Sequence, residues 1–326
     1  MIPQSISDSI KFDYLLRTQS LTRAISTFIM TNLSSSLIPS TFPCVAVFSC
    51  GFKIAAYHYY KLMSSLPCPA SSYSILPSPV FNESSVEQDA QAMIDQLLLL
   101  LSEQSADRSG SPPLILLVGH SRGGAAATLA SSILTHSKTY KAIKPSSILT
   151  ILIDPVDSAD HLATSSILPS TAYPSSDLPH TLIISTPYRG KSNYYHVAFD
   201  SSCAPIDRNA QVFYNTKKRC KHSTLYITLP TVGHLQVLDQ KEKSTLASVC
   251  ASSNKVKDEI VQSYVSILIQ QYMSTYIDYN KPREDKNVVY DTVHNIKDIK
   301  NIIDNMFKSK LTSDWLLYHA SDEFVI

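Results

Sequence analysis

The chain has 326 residues, 44% hydrophobic and 17% charged, with 7 Gly against 18 Pro and 18 Tyr, so it is long enough for a sizeable core and too apolar to be disordered as a whole. A formal net charge of +1 supplies no electrostatic footprint for nucleic acid or an anionic membrane, and no nucleic-acid role is expected. No apolar run reaches the roughly 18 residues a membrane span needs, so a soluble or peripheral protein is expected.

In chain order, residues 1–41 carry Arg17 and Arg23, many Ser and Thr, and only Asp8 and Asp13 as acids. That composition suits an organelle transit segment, while Ile2, Ile6, Ile10, Phe12 and Tyr14 suit the first edge strands of a sheet equally well. Residues 42–48 form a short apolar run of the kind found in strands covered on both faces, leading into Ser49-Cys50-Gly51-Phe52. Residues 57–66 read as a helix, and Ile75-Leu76-Pro77 as a short strand. Over 85–102, a Ser85/Gln88 capping box opens a helix whose apolar stripe is Val86, Ala90, Met93, Ile94, Leu97, Leu98 and Leu101.

A polar turn over 106–113 then leads to an apolar strand ending on Gly119-His120-Ser121-Arg122-Gly123, followed by the small-residue helix start 125–130. Further strands are expected at 148–153, 181–185 and 225–229, and a long amphipathic helix at 256–277. Residues 281–286 are a solvated charge run, and 296–307 is helix-like. Strands alternating with helices predict an α/β protein with the α/β-hydrolase fold, a mostly parallel central sheet with helices on both faces. The expected organisation is an N-terminal segment at 1–41, an α/β-hydrolase domain at 42–277 and a C-terminal extension at 278–326, the extension being open to lid, docking and inert-tail readings.

The chemistry is concentrated at the ends of three predicted strands. Residues 119–123 match G-x-S-x-G, the nucleophile elbow, in which a sharp strand-to-helix turn holds the serine in strained backbone and leaves no room for side chains at the flanking glycines. Serine ester hydrolysis also needs a base, an acid to orient it and donors for the oxyanion, and in this fold the triad runs Ser, Asp or Glu, His. Ser121, Asp154 and His234 occur in that order, each directly after a predicted strand, where open α/β sheets assemble their sites. Asp157 competes with Asp154 at the same strand end. The oxyanion donors are expected to be the backbone amides of Arg122 and Phe52.

The six cysteines, Cys44, Cys50, Cys68, Cys203, Cys220 and Cys250, contain no C-x-x-C pair, so a metal site is not expected and most read as buried small hydrophobes. Cys203 with Cys220 is the one pairing considered as a loop-closing disulfide.

These residues resemble one family, the chlorophyllases, which carry G-H-S-R-G-G at the elbow as 119–124 do here. The resemblance runs from about residue 43 to about residue 275. It includes Asp154-Pro155-Val156-Asp157, Cys203-Ala204-Pro205, Asn209, Phe213, Cys220 and the segment Gly233-His234-Leu235-Gln236-Val237-Leu238-Asp239. Two positions depart from the pattern: Cys50 stands where such enzymes usually have His before Gly-Phe, and Gln236 where an aspartate often follows the histidine. The first change puts the hold on the oxyanion loop in doubt, and the second removes a charge beside His234.

Membership would imply hydrolysis of the phytyl ester of chlorophyll to chlorophyllide and phytol, without a cofactor, in a plastid. Cytoplasmic or peripheral-membrane placement is the alternative. Chlorophyll or a related hydrophobic ester is the expected partner, with peripheral membrane contact. An apolar and aromatic opening is expected for so large a substrate, with Phe52, Tyr57, Tyr188, Tyr194 and Tyr195 as candidates. Two other functions fit the same residues: a general carboxylesterase or lipase, because the elbow specifies mechanism rather than substrate, and a non-catalytic pigment- or lipid-binding protein.

Overall fold

The computed structural model describes residues 44–64, 66, 72–76, 85–105, 113–144, 147–157, 179–188, 203–204, 207–217, 224–229, 231–239, 250 and 256–280. Its centre is a six-stranded sheet made of β1 (Cys44–Ser49), β2 (Ser72–Leu76), β3 (Leu114–His120), β4 (Ile148–Ile153), β5 (His180–Ser185) and β6 (Thr224–Thr228). The spatial order is β2-β1-β3-β4-β5-β6, and every neighbouring pair is parallel. Parallel strands need crossovers that cover both faces, which is why β1, β3 and β4 are continuous apolar runs buried throughout rather than alternating.

Two hydrophobic clusters, one on each face, follow from the pleat. Val45 and Val47 of β1 pack with α2 (Val86–Ser105), α3 (Arg122–His136) and the short α4 (Ala210–Lys217), through residues including Met93, Leu97, Ala126, Ala130 and Phe213. Ala46 and Phe48 face the opposite cluster, with Leu62 and Met63 of α1 (Tyr60–Ser64) and Val265, Leu268 and Ile269 of α5 (Asp258–Asn280). The chain therefore has the α/β-hydrolase fold. Strand order reverses between β1 and β3, so a crevice is expected at the carboxyl ends of these two strands.

The capping box forms as the sequence predicts. The Ser85 amide donates to Gln88 Oε1 at 2.8 Å and the Gln88 amide to Ser85 Oγ at 3.3 Å, and α2 starts at the next residue. The helix expected over 57–66 is instead a 3-10 turn, Ala56–Tyr59, followed by α1, because tertiary hydrogen bonds engage its side chains. His58 Nδ1 lies 2.6 Å from the Asp239 carbonyl, and Tyr59 Oη turns inward.

The pairing of Cys203 with Cys220 is corrected: Cys203 is bonded to Cys250, with their Cα atoms 5.3 Å apart. The two are 47 residues apart in sequence, and spacing along the chain does not encode their proximity. Cys44 and Cys50 are buried and not disulfide-bonded, as small hydrophobes are. The expectations for 1–41, the polar turn, 281–326, Cys68, Cys220, Tyr194 and Tyr195 lie outside the described residues.

Candidate active site

Ser121 follows β3 directly and caps α3 with φ 55° and ψ −127°, a backbone region that residues bearing a Cβ rarely adopt. The turn is sharp because α3 folds back against the strand that precedes it. A Cβ at Gly119 would run into the carbonyl of Gly123, and one at Gly123 into the carbonyl of Ser49, so both positions must be glycine for close approach. Backbone bonds fix the elbow: the Ser121 amide donates to the Ile153 carbonyl of β4 at 3.0 Å, and the Ser121 carbonyl accepts from the Gly124 amide of α3 at 2.9 Å and from the Val156 amide, just past β4, at 3.1 Å. These bonds place the serine beside the end of β4.

Asp154, directly after β4, has φ 40°, a left-handed conformation that aspartate tolerates better than most residues. Its Oδ2 lies 2.6 Å from Nδ1 of His234, and its Oδ1 accepts the Thr186 amide at 2.9 Å. Asp154 and His234 are both buried, so the pair is shielded from water. Burial alone would push the Asp154 carboxyl up, but the hydrogen bond and the imidazole of His234, with the Thr186 amide, outweigh it and hold the carboxylate below its ordinary value. It is thus Asp154 whose carboxylate meets the histidine. Asp157 is also buried, and its amide donates to the Arg208 carbonyl at 2.7 Å.

After β1, residues 51–54 form a turn in which the Ile54 amide donates to the Gly51 carbonyl at 3.1 Å and Lys53 has φ 54°, the positive value a type II turn requires at its third position. The second position of such a turn is Phe52, whose amide is left outside the turn's own bond. Contact with the elbow is close: a Cβ on Gly51 would stand 3.0 Å from His120 Nδ1 and 3.1 Å from Ser121 Cβ. Phe52 is half-buried. Tyr57 is exposed, and Tyr188 is half-buried with its amide on the Val232 carbonyl at 3.1 Å, in the loop that carries His234.

Several contacts are not legible in the sequence. The Arg122 side chain leaves the site and forms a 3.0 Å ion pair with Asp89 on α2, tying the start of α3 to its neighbour. Gln236 does not act on His234 through a charge. Its Oε1 accepts the Gly233 amide at 2.8 Å, and its Nε2 donates to the Val256 carbonyl and to Asp258 Oδ1, both at 3.0 Å, which fastens the histidine loop to the start of α5. His120 is wholly buried, with its ring centroid 4.7 Å from that of His234. Burial, and then the neighbouring His234, push its pKa down to about 3, so it is neutral under ordinary conditions. An orienting carboxylate, a buried imidazole and a serine held at a strained elbow can together perform acyl transfer.

The sequence pattern of the family described as Chlorophyllase matches residues 37–299. No curated protein matches the chain. Among solved structures the chain is similar to a ferulic acid esterase from Streptomyces cinnamoneus, at 11% identity and a TM-score of 0.43, with 79% of this chain and 73% of that chain covered.

Proposed function

The chain belongs to the chlorophyllase family and is a carboxylic ester hydrolase, and from that premise we propose that it cleaves the phytyl ester of chlorophyll, releasing chlorophyllide and phytol, with Ser121, His234 and Asp154 as its catalytic triad. The observation that carries the triad is the 2.6 Å contact between Asp154 and His234 at the strand ends beside the Ser121 elbow.

In this reading Ser121 Oγ attacks the ester carbonyl while His234 Nε2 takes its proton, and Asp154 holds the Nδ1–H tautomer and stabilises the imidazolium. The amides of Arg122 and Phe52 hold the oxyanion. Collapse of the tetrahedral intermediate breaks the bond to the phytyl oxygen, which leaves as phytol with the proton from His234. Water, deprotonated by the same imidazole, then attacks the acyl-Ser121 ester, and chlorophyllide departs as the carboxylic acid. Phe52, Tyr57 and Tyr188, with Tyr194 and Tyr195, are proposed to meet the macrocycle or its tail.

The test is chromatography of pigment products after the purified protein, or its Ser121→Ala variant, is incubated with chlorophyll a in detergent micelles. Chlorophyllide from the wild type alone is the expected result. Ser121-dependent cleavage of a short aryl ester with no chlorophyllide would move the assignment to a general carboxylesterase, which the family and the site chemistry also accommodate.

A further inference from the structure

A chain of hydrogen bonds runs behind the elbow from the oxyanion loop to the histidine loop. The Gly51 amide donates to Tyr59 Oη at 3.0 Å, Tyr59 Oη lies 2.7 Å from His120 Nδ1, and His120 Nε2 lies 3.0 Å from the His234 carbonyl. The direction of every proton is determined. A carbonyl only accepts, so His120 Nε2 carries a proton. A neutral ring then has Nδ1 bare, so Nδ1 accepts the Tyr59 hydroxyl proton, and the Tyr59 oxygen keeps a lone pair for the Gly51 amide. Each donor and acceptor along the chain is satisfied once, in surroundings where Tyr59 and His120 are buried completely.

We propose that Tyr59 and His120 are positioning residues for the ester hydrolysis assigned above, on which this inference rests: they lock the peptide that presents the Phe52 amide and the backbone that carries His234 into one fixed relation across Ser121. The Phe52 N–H belongs to the same peptide plane as the Gly51 carbonyl, which is held by Ile54, while the Gly51 amide is held by Tyr59. With both sides of Gly51 anchored, the plane between them has no freedom to rotate its N–H away from the oxyanion. At the other end, His120 fixes the main chain of the base, and Asp154 fixes its ring.

The titratable groups around His120 are Tyr59, His234 and Asp154, with Cys50 beside Tyr59. Burial pushes the Tyr59 phenol well up, so it stays a neutral donor. Protonating His120 would give Nδ1 a hydrogen aimed at the Tyr59 oxygen and break the chain at its midpoint.

The test uses the full chain with p-nitrophenyl butyrate at neutral pH. Tyr59→Phe is expected to lower kcat about 10- to 100-fold with KM within about twofold, part of the loss seen when an oxyanion donor is removed outright. His120→Gln, which can accept and donate, is expected to stay within about 10-fold of wild type, and His120→Leu to fall at least as far as Tyr59→Phe. The double variant Tyr59→Phe/His120→Leu should fall no further than His120→Leu alone, because the two act as one unit. Nitrogen-15 NMR of the wild-type ring reads the same arrangement without a variant and is expected to show the Nε2–H tautomer. Wild-type kcat in Tyr59→Phe, a loss confined to KM, additive losses, or an Nδ1–H tautomer would each overturn the proposal. Equal cleavage by wild type and Ser121→Ala would instead overturn the serine-hydrolase reading, whatever Tyr59→Phe does.

Discussion

His234 is engaged at three points, by Asp154 at Nδ1, by His120 at its carbonyl and by the His120 ring lying against its own. Both neighbours, His120 and Asp154, titrate lower in the folded protein than in the unfolded chain, which makes stability depend on pH with a definite sign. His120 binds a proton near its ordinary value of 6.5 when unfolded but only near 3 when folded. Its contribution is therefore fully present above pH 6.5 and is lost as the pH falls from there toward 3. Asp154, with its carboxyl held below the ordinary 3.8, contributes above that value and loses its contribution further down. Urea midpoints measured across this range should fall steadily on acidification. His120→Gln should flatten the upper part of the curve, and a slope unchanged by that substitution would refute the assignment to His120. Ser121, Asp154 and His234 could be picked out as candidates in the sequence because Ser121 and Asp154 directly follow apolar runs and the three occur in the order this fold's triads take. Tyr59 could not, since nothing local to residues 57–66 shows that its hydroxyl reaches a histidine beyond two further elements.

At the scale of elements, the histidine loop is held both by its own turns and by bonds to the start of α5. The Gln236 carboxamide accepts from Gly233 and donates to the Val256 carbonyl just before that helix and to the carboxylate of Asp258, its first residue. A carboxylate at position 236 would keep the acceptor, lose the donors and face Asp258 with like charge. Gln236→Glu is expected to cost about 1–3 kcal/mol of stability at neutral pH, read as a lower melting temperature that recovers partly in acid as the carboxylates protonate. No change in melting temperature would show that the clamp carries no weight. The capping box and the apolar stripe of α2 were readable from residue spacing alone, as local hydrogen bonds and helix periodicity allow. Residues 57–66 had helical spacing too, yet tertiary bonds from His58 and Tyr59 tightened the first turn into a 3-10 form. The Arg122 to Asp89 pair joins two helices, a contact that spacing along the chain does not encode.

For the molecule as a whole, composition and strand character were enough for a mostly parallel α/β sheet, because strands buried on both faces betray themselves as unbroken Val, Ile and Leu runs. Strand order and the Cys203 to Cys250 bond were not readable, since both depend on which distant segments meet. The same feature has a kinetic side. Among the described residues no neighbouring pair in the sheet is a hairpin; even β1 and β2, with Val45 opposite Ser72, are parallel and joined by a crossover, and β1 pairs with β3 from Cys44 opposite Leu114 to Ser49 opposite Gly119, about 70 positions along the chain. Each ladder bond must therefore wait for a long loop to close before it returns any energy, which makes folding of this topology slow. The site draws on the ends of β1, β3 and β4 and on the loop after β6, so it does not exist until the last of these strands is in register. In refolding from denaturant, helical circular dichroism should return well before ester-cleaving activity; simultaneous recovery would mean that the sheet closes in a single concerted event.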